Sequence, residues 1–206
     1  MPTDATEYEA SYAKWQESAE KDLGQGKGFI QGDKELLKHP AQHADQHVEF
    51  LQTRLKAFPF AEIILQTSNI DSKYRSELKN VRDVHKAQRK WIGVLDRILY
   101  ERRFAEWRAE LDAEVKKGKE PTFENSDLSR YLANKAAENV EFLKYQLARD
   151  RFTVLILENS SMYGQYPGRV KKAESLERRQ RAWSEFLMTV QKSQADGQRD
   201  RPPKGR

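Results

Sequence analysis

The dominant pattern in the chain is a long run of apolar residues at helical spacing. Between Ile70 and Val115 there is no proline and only one glycine, Gly93. The apolar positions are Ile70, Tyr74, Val81, Val84, Trp91, Leu95 and Ile98, followed after a small phase step by Phe104, Trp107, Leu111 and Val115. This spacing predicts one helix of roughly 70 Å at ~1.5 Å per residue. Because that length exceeds what one compact domain of this size needs, the helix is predicted to be shared by two domains.

The sequence contains an internal duplication. When the chain is shifted by 92 residues, positions 8–99 align without a gap with positions 100–191, and about a quarter of the pairs are identical. The identical pairs include Trp15 and Trp107, Trp91 and Trp183, and the string Val48–Leu51 with Val140–Leu143. Two tryptophans and a four-residue string in one register predict two copies of one structural unit.

The spacing of apolar residues in each copy predicts three helices, each with one apolar stripe. The first helix covers about Thr3–Leu23 and starts beside Asp4, a residue type that caps helix N-termini. Segment 24–32 is rich in glycine and ends this helix; its spacing fits no phosphate-binding pattern, and no strand precedes it. The third helix is part of the long run described above, where Gln88 and its counterpart Gln180 predict a polar layer on the stripe.

The second helix is predicted to begin near Asp33 and to end near Leu65. Pro40 and Pro59 lie inside it, and an interior proline costs ~3 kcal/mol or more. We therefore expect a kink or a local break near one of them. The second copy has no proline at either position, which predicts an unbroken helix there.

The connection between the copies contains no helix breaker. The third helix of the first copy is predicted to continue into the first helix of the second copy through Leu99, Tyr100 and Phe104. The predicted fold class is therefore all-α, with two tandem three-helix antiparallel bundles, 1–99 and 100–191, joined by a continuous helix.

Composition narrows the class of protein further. Hydrophobic residues make up 37% of the 206 positions and charged residues 33%, which suits thin helical bundles. Without cysteine there is no disulfide or thiolate chemistry, and the N-terminus lacks the apolar run of a signal peptide. We expect a cytoplasmic protein. The C-terminal segment 192–206 is predicted to be a disordered basic tail.

Several of these features together resemble the spectrin repeat. They are Trp15 and Trp107 in the first helices, the string ELLKHPAQH that opens the second helix, Arg89–Trp91 and Arg181–Trp183 in the third helices, and the continuous connection. The resemblance covers both copies. It implies a non-catalytic structural rod segment of a cytoskeletal protein, like those in spectrin, dystrophin, the plakins and the nesprins, that acts as an elastic spacer and protein-docking scaffold.

The resemblance also implies which partners to expect, and that there are no cofactors or catalytic residues. Cytoskeletal or membrane-skeleton proteins are expected, such as actin, ankyrin-like proteins or sister rod chains; anionic lipid and self-association stay open. It implies no cofactor and no catalytic residues, and the sequence itself offers no nucleophile with a base and no paired carboxylates that point to an enzyme. The four tryptophans, Trp15, Trp91, Trp107 and Trp183, lie on apolar stripes, which predicts packing in the core and not stacking on nucleic-acid bases.

Three histidines suggest a sharper alternative. His39, His43 and His47 are spaced at i, i+4 and i+8 on the predicted second helix, so neighbouring rings would lie one turn apart. The row could bind a metal, form a pH-sensitive helix face or lie at a solvated boundary. Its counterparts in the second copy are Tyr131, Lys135 and Asn139. Because the fold does not need histidine there, the solvated boundary is favoured.

Basic clusters raise a second function, a helical adaptor that binds a polyanion such as nucleic acid or an acidic membrane surface. The net charge is +5, and the clusters are Arg97, Arg102 and Arg103; Lys116, Lys117 and Lys119; and Arg178, Arg179 and Arg181. A nucleic-acid footprint is usually a one-sided basic stripe, whereas acidic residues are interspersed here. The pattern therefore favours solvated helix faces, and nucleic acid is the less favoured partner.

Overall fold

The structure is a computed structural model that describes residues 4–27, 32–78, 83–165 and 175–199. Its regular structure in these ranges is helical and includes no strand, as the sequence predicts for an all-α protein. The chain divides into two compact units, Met1–Leu99 and Tyr100–Arg206.

The first unit begins with one long helix and continues with shorter ones. Its helices are α1 (Ala5–Gly24), α2 (Lys34–Gln42), α3 (Val48–Ala57), a 3-10 turn (Pro59–Ala61), α4 (Glu62–Thr67), α5 (Asn69–Leu78) and the first part of α6 (Val84–Lys116). Aspartates cap the N-termini of α1 and α2, since Asp4 accepts a hydrogen bond from Thr6 N–H and Asp33 from Glu35 N–H. These two starts agree with the sequence prediction.

The second unit follows a similar order, with its 3-10 turns at different places. It holds the rest of α6, then α7 (Asp127–Asn134), a 3-10 turn (Ala136–Asn139), α8 (Val140–Leu147), α9 (Thr153–Glu158), a 3-10 turn (Ser161–Gln165) and α10 (Leu176–Arg199). Helices α6 and α10 start at Val84 and Leu176, which are equivalent positions of the two copies.

The long helix is shorter than the sequence predicted. It begins at Val84 and not at Ile70, and its 33 residues span roughly 50 Å. Ile70 and Tyr74 belong to the separate helix α5, whereas Val81 lies among residues 79–82, outside the described ranges. Asp83 explains the new start, because its carboxylate accepts a hydrogen bond of 2.6 Å from Lys86 N–H and so caps α6.

The second helix of each copy is divided, and the prediction of an unbroken helix in the second copy was wrong. In the first unit residues 43–47 separate α2 from α3, and Pro59 starts the 3-10 turn that follows. The second unit breaks at the equivalent places although it has no proline there. Proline is therefore not the common cause of the breaks. Helix α9 also departs from the predicted single apolar stripe, since all six of its residues are buried.

The C-terminal segment also departs from the prediction. Helix α10 continues to Arg199, so residues 192–199 are helical and not disordered. Residues 200–206 lie outside the described ranges.

Candidate functional site

The four tryptophans lie in the cores of the two units. Trp15 and Trp91 belong to the first core and are 0% and 1% exposed; Trp107 and Trp183 belong to the second core and are 4% and 1% exposed. Their rings contribute packing area to each unit and present little surface to a ligand.

The predicted connecting residues lie within helix α6. Leu99 packs against the first core, whereas Tyr100 and Phe104 are buried in the second core at 0% and 4% exposure. One uninterrupted helix therefore supplies core residues to both units.

A buried tyrosine hydroxyl forms the same hydrogen bond in both units. Tyr8 donates to the Pro40 carbonyl near the end of α2, and Tyr100 donates to the Leu132 carbonyl near the end of α7, each at 3.1 Å. The last carbonyl groups of a helix have no partner within the helix, so the tyrosine satisfies one of them. Burial raises the pKa of both tyrosines, which keeps the donor proton in place. The sequence shows these tyrosines as apolar-stripe residues and gives no sign of their capping role.

A glutamine forms the second duplicated contact. Gln88 Nε2 donates to the Leu55 carbonyl at 2.7 Å, and Gln180 Nε2 donates to the Leu147 carbonyl. Leu55 needs this donor because the residue four positions later is Pro59, which has no N–H. The polar layer predicted for Gln88 and Gln180 is thus a pair of caps on the ends of α3 and α8.

A third duplicated contact holds the loop that follows the first helix of each unit. Lys27 pairs with Asp22, and at the equivalent positions Lys119 pairs with Glu114. Hydrogen bonds from Lys119 and Lys117 lower the pKa of Glu114 to about 2. The glycine-rich segment therefore acts as an anchored loop in the residues that are described, 24–27 and 32.

The two loops differ in how tightly they close over the tryptophan. In the first unit Gly32 has φ +65, and a Cβ there would lie 3.1 Å from Trp15 Nε1 and 3.2 Å from Ala19 N. In the second unit Glu124 occupies the position of Gly32, and a cavity of about 60 Å³ opens beside Trp107. Only glycine permits the close approach seen in the first unit.

The three histidines do not form the predicted helical row. Helix α2 ends at Gln42, His43 is its C-cap residue, and His47 directly precedes α3. The His39 and His43 rings lie 4.8 Å apart, whereas the His47 ring stacks on Tyr8 at 3.9 Å. In the part of the chain that the structure describes, no group of three His, Asp or Glu residues is arranged to hold a metal ion.

Many members of the basic clusters interact with acidic groups or aromatic rings. Lys117 and Lys119 both pair with Glu114. The Arg97 guanidinium lies 5.5 Å from the Tyr74 ring centroid, and that of Arg103 lies 4.4 Å from the Tyr131 ring centroid. Arg102, Arg178 and Arg181 are exposed. The positive charge is therefore spread over separate local contacts.

An ion pair in the second unit has no counterpart in the first. Arg179 forms two hydrogen bonds with the Glu158 carboxylate, one of them 2.9 Å long, and the two side chains are 12% and 6% exposed. The equivalent residues in the first unit are Ala87 and Gln66. Sequence reasoning took Arg179 as part of a basic cluster and missed this pair, because the partners are 21 residues apart.

Glu62 is a carboxyl group at an apolar position. Its equivalent in the second unit is Val154, which is fully buried, and Glu62 is the one residue that interrupts the apolar phase of the second helix. Glu62 Oε2 is buried and lacks a hydrogen-bond partner among the described residues. Burial raises the pKa of Glu62 to about 7.

Replacing Glu62 with Gln should stabilise the first unit at pH values above about 7 and leave its stability near pH 4 unchanged. Because the folded-state pKa is above the unfolded value of 4.5, the folded state binds more protons, so stability falls as pH rises from 4.5 to about 7. The full shift would correspond to about 3 kcal/mol, and partial exposure reduces the expected gain to ~1–2 kcal/mol. Urea unfolding between pH 4 and 8 measures this gain, with hydrogen exchange of first-unit amides as the readout.

Glu62→Val is the matched control, since valine is the residue of the second unit. Both variants should remove the same pH dependence, and Glu62→Val should add a pH-independent gain from burial of the methyl groups. An unchanged slope of stability against pH in Glu62→Gln would contradict the assignment.

These contacts describe a helical protein that is built from two similar units. Two compact helical units carry matching hydrogen bonds at equivalent positions, and the duplicated side chains bind backbone carbonyl groups of their own unit. No helix within the described ranges is both long and apolar enough to span a membrane. No family model, curated protein or solved structure matches the chain.

Proposed function

We propose that the chain is a non-catalytic structural segment of a cytoskeletal protein that works as an elastic spacer and protein-docking scaffold. The observation that carries this proposal is helix α6, which passes Leu99 and Tyr100 without interruption. Trp91 and Leu95 on this helix belong to the first core, and Tyr100 and Phe104 belong to the second. Unfolding of one unit would remove the packing that stabilises half of α6, so strain would pass to the other unit through the helix.

At the finer level we propose that each unit is a divided form of the three-helix bundle. The middle helix of the bundle would correspond to the short helices α2 to α4 in the first unit and α7 to α9 in the second. The caps from Tyr8 and Gln88, and from Tyr100 and Gln180, support this interpretation, because they satisfy carbonyl groups that have no N–H partner within the divided helix.

Docking surfaces would lie on positions that differ between the units. The matched tyrosine and glutamine contacts are buried or partly buried, whereas many exposed positions carry different residues in the two copies, so each unit would present its own partner surface. In the second unit Tyr145 and Met188 are 55% and 58% exposed, and aromatic and methionine side chains are common at protein interfaces. The partners proposed are those that the resemblance implies: actin, ankyrin-like proteins or a sister rod chain.

A polyanion adaptor is the less supported alternative. Arg179 is occupied by Glu158, and Lys117 and Lys119 share Glu114, so these cations are already paired within their unit. A binding titration with duplex DNA, RNA and acidic vesicles at low and high salt separates the two functions. A steep loss of affinity with salt would favour the adaptor through counterion release.

The structural function is tested by a helix break at the unit boundary. Arg102→Pro removes one hydrogen bond of α6 at an exposed position and leaves the buried Tyr100 and its hydrogen bond in place; the break costs ~3 kcal/mol or more. We expect the two units of the wild-type chain to lose hydrogen-exchange protection at one urea concentration. In Arg102→Pro they should lose it at two separate concentrations.

Arg102→Ala is the matched control, because it removes the same side chain and keeps the helix. It should retain one common transition. A single transition in Arg102→Pro, or separate transitions already in Arg102→Ala, would show that α6 does not couple the units and would remove the basis of the proposal.

A further inference from the structure

The first unit contains a cluster of histidines that the structural function does not use. His39 lies in α2, while His43 and His47 lie at the two ends of the turn formed by residues 43–47. We call these three residues the histidine corner. The second unit has Tyr131, Lys135 and Asn139 at the equivalent positions. Any property of the corner is therefore confined to the first unit.

His47 connects the turn formed by residues 43–47 to helix α1, because its ring stacks on the Tyr8 ring. The two rings stack at 3.9 Å between centroids with an interplanar angle of 14°, and Phe50 contacts the Tyr8 ring edge-on at 5.6 Å. The Tyr8 hydroxyl in turn donates to the Pro40 carbonyl at the end of α2. The position of α2 relative to α1 and the start of α3 thus depends on the His47–Tyr8 stack.

The environment of His47 opposes its protonation. Its Nε2 atom is buried and has no hydrogen-bond partner in the described part of the chain, so an Nε2–H group there would lack an acceptor. Burial is the main cause that lowers the pKa of His47, and His43 and His39 lower it further. Asp45 in the turn and Glu9 on α1 act in the opposite direction and are outweighed.

His39 is held in the same corner by a hydrogen bond to Ser11 on α1. Ser11 Oγ donates its single proton to the Tyr8 carbonyl at 2.8 Å, so it accepts from His39 Nδ1–H, also at 2.8 Å. This assignment leaves His39 Nε2 as the free basic nitrogen, 3.8 Å from Glu7 Oε1.

We propose that the histidine corner is an acid-sensitive hinge, in which protonation of His47 separates its ring from Tyr8 and opens the turn between α2 and α3. The second unit stays closed, because Asn139 cannot be protonated. A histidine that binds protons more weakly when folded destabilises the folded form as pH falls below the unfolded value of ~6.5. Mild acid therefore exposes residues of the first unit alone, which makes any surface at this corner responsive to pH.

Hydrogen exchange of the full chain, corrected for the intrinsic effect of pH, tests the hinge. Between about pH 7 and pH 5 the opening equilibrium of amides 43–51 should rise by up to about tenfold per pH unit, the limit for one proton. The equivalent amides 135–143 should not change. The Glu62→Gln variant is used as the background, because Glu62 titrates in the same unit and stabilises it as pH falls.

Three substitutions decide the outcome. His47→Asn, which installs the residue of the second unit, should abolish the acid response, and His85→Asn on the exposed start of α6 should retain it. His43→Lys places the permanent charge of Lys135 beside His47 and lowers the folded-state pKa of His47 further, so it should extend the acid response to lower pH before the response levels off. The proposal is overturned if the response persists in His47→Asn, if amides 135–143 respond equally, or if the response of His43→Lys levels off at the same pH as that of the background variant.

Discussion

Replacing Arg179 with Ala should lower the free energy of unfolding of the second unit by about 3–5 kcal/mol. Arg179 is joined to Glu158 by two hydrogen bonds, and the Glu158 side chain is only 6% exposed. Without Arg179, the carboxylate would lie unpaired in an environment that solvates it poorly. Most of the loss would therefore come from the isolated charge of Glu158 and little from the lost contact area of arginine.

The first unit supplies the control for this prediction. It has Gln66 and Ala87 at the equivalent positions, so the double variant Glu158→Gln with Arg179→Ala transfers a pair that the same fold already accepts. The double variant should recover at least half of the stability lost in Arg179→Ala, as replacement of both partners of a buried ion pair is often neutral. Urea unfolding with hydrogen exchange resolved by unit provides the measurement. If the double variant were less stable than Arg179→Ala, the unpaired charge would not be the cause.

Replacing Trp15 with Ala should cost the first unit about 3–5 kcal/mol, and the equivalent change Trp107→Ala should cost the second unit less. Trp15 is 0% exposed and Gly32 lies directly against its ring, so the substitution leaves an enclosed cavity. Trp107 is 4% exposed and borders a cavity of about 60 Å³, so the neighbouring loop has room to relax into the vacated space. The cost of a large-to-small change depends on how far the site can collapse.

The comparison needs one further variant. Gly32→Ala introduces a Cβ at a positive φ and close to the Ala19 backbone. It should therefore weaken the packing of the Gly32 loop against Trp15 without removing the tryptophan ring. In that background Trp15→Ala should cost less than in the wild type, since both changes disturb the same contact. Equal costs for Trp15→Ala and Trp107→Ala would show that the two loops close the cores equally well.

Local signals predicted the starts of two helices correctly. Asp4 and Asp33 are residue types that cap N-termini, and their side chains do so in the structure. The continuity of α6 at Leu99 and Tyr100 followed from the absence of any helix breaker. These predictions succeeded because each depends on residues within one or two turns of the chain.

The start of α6 shows where local signals misled. The apolar spacing from Ile70 to Ile98 keeps a helical phase, yet α5 ends at Leu78 and α6 begins at Val84. Asp83 is a capping residue, and its place inside the predicted helix was the signal that could have marked the boundary. Periodicity alone cannot separate one helix from two helices in the same phase.

By itself, the sequence determined that the chain is all-α, which residues begin two of the helices, and which aromatic residues lie on apolar stripes. Only the tertiary structure decided where the second helix of each copy divides, that His43 and His47 lie in a turn, and that Arg179 pairs with Glu158. The physical reason is distance along the chain. The breaks are capped by Tyr8 and Gln88, whose carbonyl partners lie 32 and 33 residues away, and their equivalents in the second unit have the same separations. A helix ends at such a carbonyl only when folding has brought the distant donor to it.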